Sequence, residues 1–422
     1  MHARPSARIR LPALVVYVAV LNHGVSREDE CRHLQKLPGQ AGLTAEDLSG
    51  NFLRLRFAHH TVKWERHSEF TRYAVVQALP EGAGLGASDP DLLSHLLLPA
   101  EWLRTLPGET MAAIELALVQ GDLGDEAQTL EQGRRWLGGR PLVASVMGRT
   151  AHSCAMTDYF LRDSGFERLL VVARPGVSET HAGRITQRLL EMETYRLMAL
   201  RGLPVAKALG PMLSETEHAL ADITTQLESG GESDRLLLAR LARLAARVEQ
   251  ATAAHAYRFS ATAAYHGIVL QRVADLRERA VTGTQTLGDF MNRRLSPAMA
   301  TVQATGNRLA SLSGRITRAT ALLRTRVDIA TEAQNQQLLE KLTRGQALQL
   351  RLQATVEGLS IAAISYYVVS LLVYVGKAAK AAGLPVNPDL LAGGLIPLVL
   401  WGVWRTTRRI HQRLHHGSKD FE

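Results

Sequence analysis

Residues 358–376, GLSIAAISYYVVSLLVYVG, carry no charge and lie between Glu357 and Lys377. As a helix the run reaches about 28 Å, close to the hydrocarbon thickness of a bilayer. A second uncharged run, 390–404, is LLAGGLIPLVLWGVW. Its Trp401 and Trp404 precede a basic tail, as residues at a membrane interface do. Between the runs, KAAKAAGLPVNPD holds two prolines and is long enough to turn. Together they predict a two-helix transmembrane hairpin over 358–404. Net charge is +3 over the tail 405–422, +1 over the loop 376–390 and +2 over 341–358. Both outer ends are more basic than the loop, which places both termini in the cytoplasm. Ser360, Ala363, Tyr367, Ser370 and Tyr374 recur at spacings of 3 and 4 and share one helix face. Small residues there let a second helix approach and hydroxyls bond across, so this face is expected to be a helix–helix seam. A pore lining is the alternative.

Upstream, residues 176–357 are rich in Ala, Leu, Arg, Gln and Glu, a composition of helices. Ser178, after Pro175 and Gly176, is a helix cap. Interruptions are expected at 201–204, 229–233, 281–285 and 295–298. At the last, Ser296 followed by Pro297 has the form of a helix start. Leu309, Leu312, Ile316, Ala319 and Leu323 then repeat at 3, 4, 3, 4, the period of a coiled-coil seam. A helix carrying that stripe must pack on neighbouring helices, on another subunit, or on both. A homo-oligomer is therefore expected.

Residues 1–175 read as an α+β domain with a mainly antiparallel sheet. Strands are expected at 9–21, 51–58, 61–67, 70–79, 109–120, 140–147 and 166–173, and short helices near 26–36, 99–106 and 125–137. The basic start followed by LPALVVYVAVL imitates a signal peptide. Its valines and the missing small-residue cleavage site favour a buried strand instead. Strands 51–58, 61–67 and 70–79 are too close in sequence for parallel crossovers, so they pair antiparallel.

The densest cluster of reactive side chains is TVKWERHSEF, 61–70. Strand alternation puts Lys63, Glu65, His67 and Glu69 on one face and Trp64 and Arg66 on the other. A histidine between carboxylates can bind a cation or move protons. Alternating charge on a solvated sheet makes the same pattern. Glu191–Tyr195 and Glu193–Arg196 are spaced as surface helix pairs. His152 and His181 have no ligand spacing. Neither a phosphate loop, a dinucleotide fingerprint, a nucleophile elbow nor a zinc motif occurs, so no cofactor or catalytic residue is assigned. Cys31 and Cys154 are too far apart in sequence for a metal motif and fit a reducing compartment. The chain has 422 residues and a net charge of +9, with 49 Lys and Arg of which only 7 are Lys. These charges are spread rather than run together, so they carry no specific nucleic-acid signal.

Seven phrases together carry a resemblance: MHARP, KWERHSEF, AGRITQRLLEMETYRLMAL, AYRFSATAAY, QTLGDFMNRRLSPAMATV, RVDIATEAQNQQLL and TVEGLSIAAISYYVVSLL. Along nearly its whole length the chain resembles the bacterial membrane-anchored family of domain of unknown function 3422. The resemblance implies a multi-pass protein of the bacterial inner membrane and brings no activity with it. In that family residues precede HARP, so an N-terminal piece before Met1 is expected. A looser resemblance, of architecture alone, is to CorA-type magnesium channels. Those carry Gly-Met-Asn at the end of the first span, where this chain has Tyr374-Val375-Gly376-Lys377. The expectation is thus four regions: 1–175 α+β, 176–357 long-helix, 358–404 hairpin and 405–422 basic tail. The function expected is an oligomeric scaffold or sensor in the lipid bilayer. A cation channel, or an enzyme using the Lys63–Glu69 cluster, is the alternative.

Overall fold

The structure, a computed structural model, describes residues 8–382 and 388–416. Met1–Ala7, residues 383–387 of the expected loop 376–390, and the tail end 417–422 lie outside the described residues. The chain forms two compact units, Met1–Ala321 and Leu322–Glu422.

The valine-rich opening forms β1 (Ala13–Leu21), the middle of a nine-stranded sheet. Every residue from Ala13 to Val20 is at most 3% exposed, which only a strand covered on both faces achieves. Around it lie β2 (Phe52–Arg56), β3 (His60–Arg66), β4 (Phe70–Ala78), β5 (Glu109–Gln120), β6 (Val143–Met147), β7 (Ser153–Thr157), β8 (Glu167–Ala173) and β9 (Arg279–Ala280). Their order is β2-β3-β4-β1-β5-β8-β7-β6-β9. Among the described residues only β5 and β8 pair in parallel. β7 and β9 were not expected. SCAMT lacks the alternation that marks a strand, and Arg279–Ala280 falls in a stretch whose composition is helical.

One sheet face is covered by α1 (Arg27–Leu34), α2 (Ala100–Arg104) and α3 (Glu126–Trp136). Leu34, Trp102 and Trp136 meet Leu14, Val16 and Trp64 there. The long helices follow: α4 (Glu179–Leu200), α5 (Gly202–Ser229), α6 (Asp234–Leu276), α7 (Leu287–Ala381) and α8 (Pro388–His416). Leu189 and Met198 of α4, Val269 of α6, and Leu287 and Met291 of α7 share a core with Tyr17, Leu116 and Val171 of the sheet. The change of composition at 175 is therefore not a boundary between compact units, because the helices after it cover the sheet's second face.

Ser178 caps α4, its hydroxyl accepting from the backbone N–H of His181. Gly230 and the 281–285 segment break the helices near the places expected, but Ser296–Pro297 does not. α7 starts ten residues earlier, where the Thr286 hydroxyl accepts from the N–H of Asp289 at 3.0 Å, and runs unbroken for 95 residues. At 1.5 Å per residue that is about 140 Å. The stripe Leu287, Met291, Leu295, Ala298, Met299 and Val302 is buried straight through the proline. Packing along that stripe overrides a local start signal. Leu309, Leu312 and Ile316 of the expected seam are buried and Ala319 is half-buried. Arg308 on the same helix bonds Glu217 of α5 at 2.7 Å, and Ile316 lines a gap with Val248 of α6. The chain's own helices thus take up this part of the seam.

Ser178→Ala is expected to cost about 1 kcal/mol of unfolding free energy. Ser296→Ala, at an exposed mid-helix position, should change it by less than about 0.5 kcal/mol. Denaturant titration of the two variants checks both, and equal losses would restore residue 296 as a helix start.

Candidate functional site

The KWERHSEF segment forms β3, its turn and the start of β4. Lys63 and Glu65 face α4, while Trp64 and Arg66 face α1 and α2, as alternation requires. The expected single face breaks down after that. β3 ends at Arg66, so His67, Ser68 and Glu69 make the turn and strand alternation no longer governs them. His67 stacks on Phe70 with centroids 4.5 Å apart instead of sitting between carboxylates. Glu69 turns to α6, where it accepts from the Tyr265 hydroxyl at 2.7 Å and pairs with Arg258.

On the α4 face the charges form a relay. Glu65 stands opposite Arg72 in the β3–β4 register and accepts from its Nε at 2.7 Å. Lys63 Nζ reaches the same carboxylate at 2.9 Å. Arg72 lies 3.4 Å from Glu191 on α4. Glu191 also accepts from Gln187 and from Arg272 of α6, both at 2.7 Å. Arg272 ends the relay on Asp275 at 3.2 Å. On the opposite face Arg66 pairs with fully buried Glu30 at 2.8 Å. The pairs expected on a helix surface at 191–196 are buried instead, Glu191 at 6% and Glu193 at 2% exposure. α4 lies against the sheet, so its i,i+3 and i,i+4 spacing serves the interface.

Burial pushes the Glu65 carboxyl up, but Arg72 and then Lys63 outweigh it and hold the group down at about 2. Burial lowers the Lys63 ammonium, with Glu65 opposing. Burial raises Glu191 as well, and Arg72, Gln187 and Arg272 together bring it below the usual carboxylate range. Each buried charge is therefore compensated, as a clamp between strand and helices needs. Beside the relay lies a cavity of about 50 Å³, lined by Tyr17, Lys63, Glu65, Arg72 and Gln187 among others. That holds a few waters, against roughly 300 Å³ or more for a small-molecule site. Among the described residues no group of His, Cys, Asp and Glu has the arrangement of a metal site.

The apolar segment lies within α7, and among the described helices α7 is the one long and apolar enough to cross a membrane. Only 6% of its most apolar 18-residue window is buried. Within it Tyr367 and Tyr374 are each 68% exposed, and Ser360 and Ala363 are exposed too, with Ser370 half-buried. The covered face is the opposite one, Ile361, Ser365, Val368, Leu372 and Gly376. Spacing alone finds both faces and does not say which is covered. Sequence spacing also missed a pair brought together by the fold: the Nε2 atoms of His152 and His181 lie 2.8 Å apart.

Glu65→Gln leaves Lys63 and Arg72 buried around a neutral amide and is expected to cost about 3–5 kcal/mol at neutral pH. Because the folded-state pKa is depressed, this stabilisation is present above the usual value of 4.5 and is lost as pH falls toward 2. The deficit of the variant should therefore shrink over that range in denaturant titrations. A deficit independent of pH would contradict the clamp.

None of the curated proteins matches the chain. Residues 1–414 match the family described as Protein of unknown function (DUF3422), and with that coverage the chain belongs to this family.

Proposed function

We propose that this protein is a membrane-anchored, self-associating scaffold or sensor, with its sheet-based unit in the cytoplasm of a bacterium and its C-terminal helices in the inner membrane. The observation that carries the proposal is the exposed, uncharged stretch of α7. Leu359, Tyr366, Leu371 and Val375 are each between 63% and 74% exposed. Water solvates such a surface poorly and lipid solvates it well. The second run, in α8, and its Trp401 and Trp404 complete the two-span hairpin in this proposal. Trp401 and Trp404 are 54% and 46% exposed, and Arg405 stacks 4.8 Å from the Trp401 ring. That arrangement suits an aromatic belt beside a basic interface.

Self-association rests on the part of α7 before the apolar segment. Leu338, Leu342, Leu352 and Val356 fall on one heptad stripe, each at least 57% exposed. A second copy is the simplest partner for such a stripe. The channel alternative is weakened by Lys377, whose Nζ sits 5.9 Å from the Tyr374 ring at the end of the first apolar run. The enzyme alternative is weakened by the division of its cluster between two sheet faces and a turn.

The expected outcome is that the full-length chain sediments with membranes, resists alkaline extraction and dissolves in mild detergent as a discrete oligomer. Val369→Arg, which adds about 3 kcal/mol to the insertion cost of the segment, should move protein out of the membrane fraction. Recovery of the wild-type chain in the detergent-free soluble fraction would overturn anchoring. A monomer by light scattering, after subtracting the detergent, would overturn self-association.

A further inference from the structure

Where the β6–β7 turn, the first turns of α4 and the end of α6 meet, a cavity of about 450 Å³ opens. Arg149, Arg184, Arg188 and Arg277 line it, with His152 and His181. Its walls are tied together: the N–H of Gly148 donates to the carbonyl of Leu276 at 3.0 Å, and Arg188 donates to the carbonyl of Asp275 at 3.1 Å. Asp275 is the acidic residue in the lining, and its carboxylate is taken by Arg272.

Several buried or half-buried arginines elsewhere in the first unit are matched with acids, as at Arg72, Arg168, Arg196, Arg258 and Arg272. Among the described residues none of the four cavity arginines has a carboxylate within ion-pair distance. Four like charges around one concavity repel one another and raise its potential. Arg277 adds a second oddity. It caps α6 with φ of 47°, the left-handed conformation that helix ends usually give to glycine. Keeping a long cationic side chain there is costly for the backbone and is explained if the guanidinium is used.

The histidines register the same field. Burial first, then His181 and nearby arginines, lower His152 to about 4. Burial and then Arg184 and Arg188 lower His181. At neutral pH both imidazoles are therefore uncharged, their ring nitrogens bonded to each other, to Ser153 and to Arg184, while the arginines hold the charge.

We infer that this cavity binds a phosphate-bearing polyanion, held by the guanidinium groups of Arg149, Arg184, Arg188 and Arg277. Planar guanidinium donors suit phosphoryl oxygens and make paired, charge-assisted bonds to them. The volume exceeds that of one phosphate and suits a ligand with at least two anionic groups. This inference does not depend on membrane anchoring.

The test is equilibrium binding of inorganic pyrophosphate to the full-length protein in mild detergent. A parallel arm uses dihexanoyl phosphatidic acid, whose phosphate is a lipid headgroup. Saturable binding of either probe, one per chain, weakened at least about tenfold by Arg149→Gln and by Arg277→Gln, is the expected result. Pyrophosphate binding alone identifies a soluble ligand, and binding of the lipid alone identifies a headgroup. Arg149 is exposed on a turn, so its substitution leaves the fold intact. Arg104→Gln, an exposed arginine on α2, is the control. No saturable binding of either probe, or equal weakening by Arg104→Gln, would overturn the inference.

Discussion

A sheet whose middle strands are buried on both faces cannot exist without helices on both sides. β1 and most of β5 have no face suited to water, and burying a Val or Leu side chain stabilises by about 1.5–3 kcal/mol. This requirement explains the largest features of the first unit. α1, α2 and α3 close one side. The other side needs more apolar surface than α4 alone presents, and α6 and the first turns of α7 supply it. The charge relay from Lys63 to Asp275 runs through this second interface. It sets the registers of β3, β4, α4 and α6 with respect to one another, because its Glu65–Arg72, Arg72–Glu191 and Glu191–Arg272 pairs each join two different elements.

The same requirement explains why α7 begins where it does. A serine and a proline at 296–297 carry the local signature of a helix start. The buried stripe that begins at Leu287 passes through them, and the exposed proline costs one backbone bond on the solvent side. Local capping chemistry is worth about 1 kcal/mol, whereas several buried Leu and Met side chains are worth several times that. The larger contribution prevails.

What was legible in the residues follows from this scale of effects. The valine run of β1 and the close-set strands β2, β3 and β4 were readable, because alternation and turn spacing are local. The Ser178 cap was readable for the same reason. β7 and β9 were not, since short strands with little pattern acquire their identity from neighbours. The cluster at 63–69 was half legible: alternation placed Lys63, Glu65, Trp64 and Arg66, then failed at the turn. The face of α7 between 360 and 374 was legible as a stripe, but which stripe is covered depends on contacts that spacing does not encode. The cavity arginines and the His152–His181 pair come from segments far apart in sequence, and only the fold joins them.

The protein thus combines an α+β unit clamped by buried ion pairs with a long helix whose later part is apolar and mostly exposed. Its two cysteines, Cys31 and Cys154, are both buried, so single cysteines placed along α7 report on their own surroundings. The most direct measurement is maleimide labelling of such cysteines in intact membranes, at positions 344, 351, 367 and 371. Fast labelling at 344 and 351 with protection at 367 and 371 is the result predicted for a helix that leaves the cytoplasm and enters lipid. Labelling at 367 and 371 as fast as at 344 would contradict membrane anchoring.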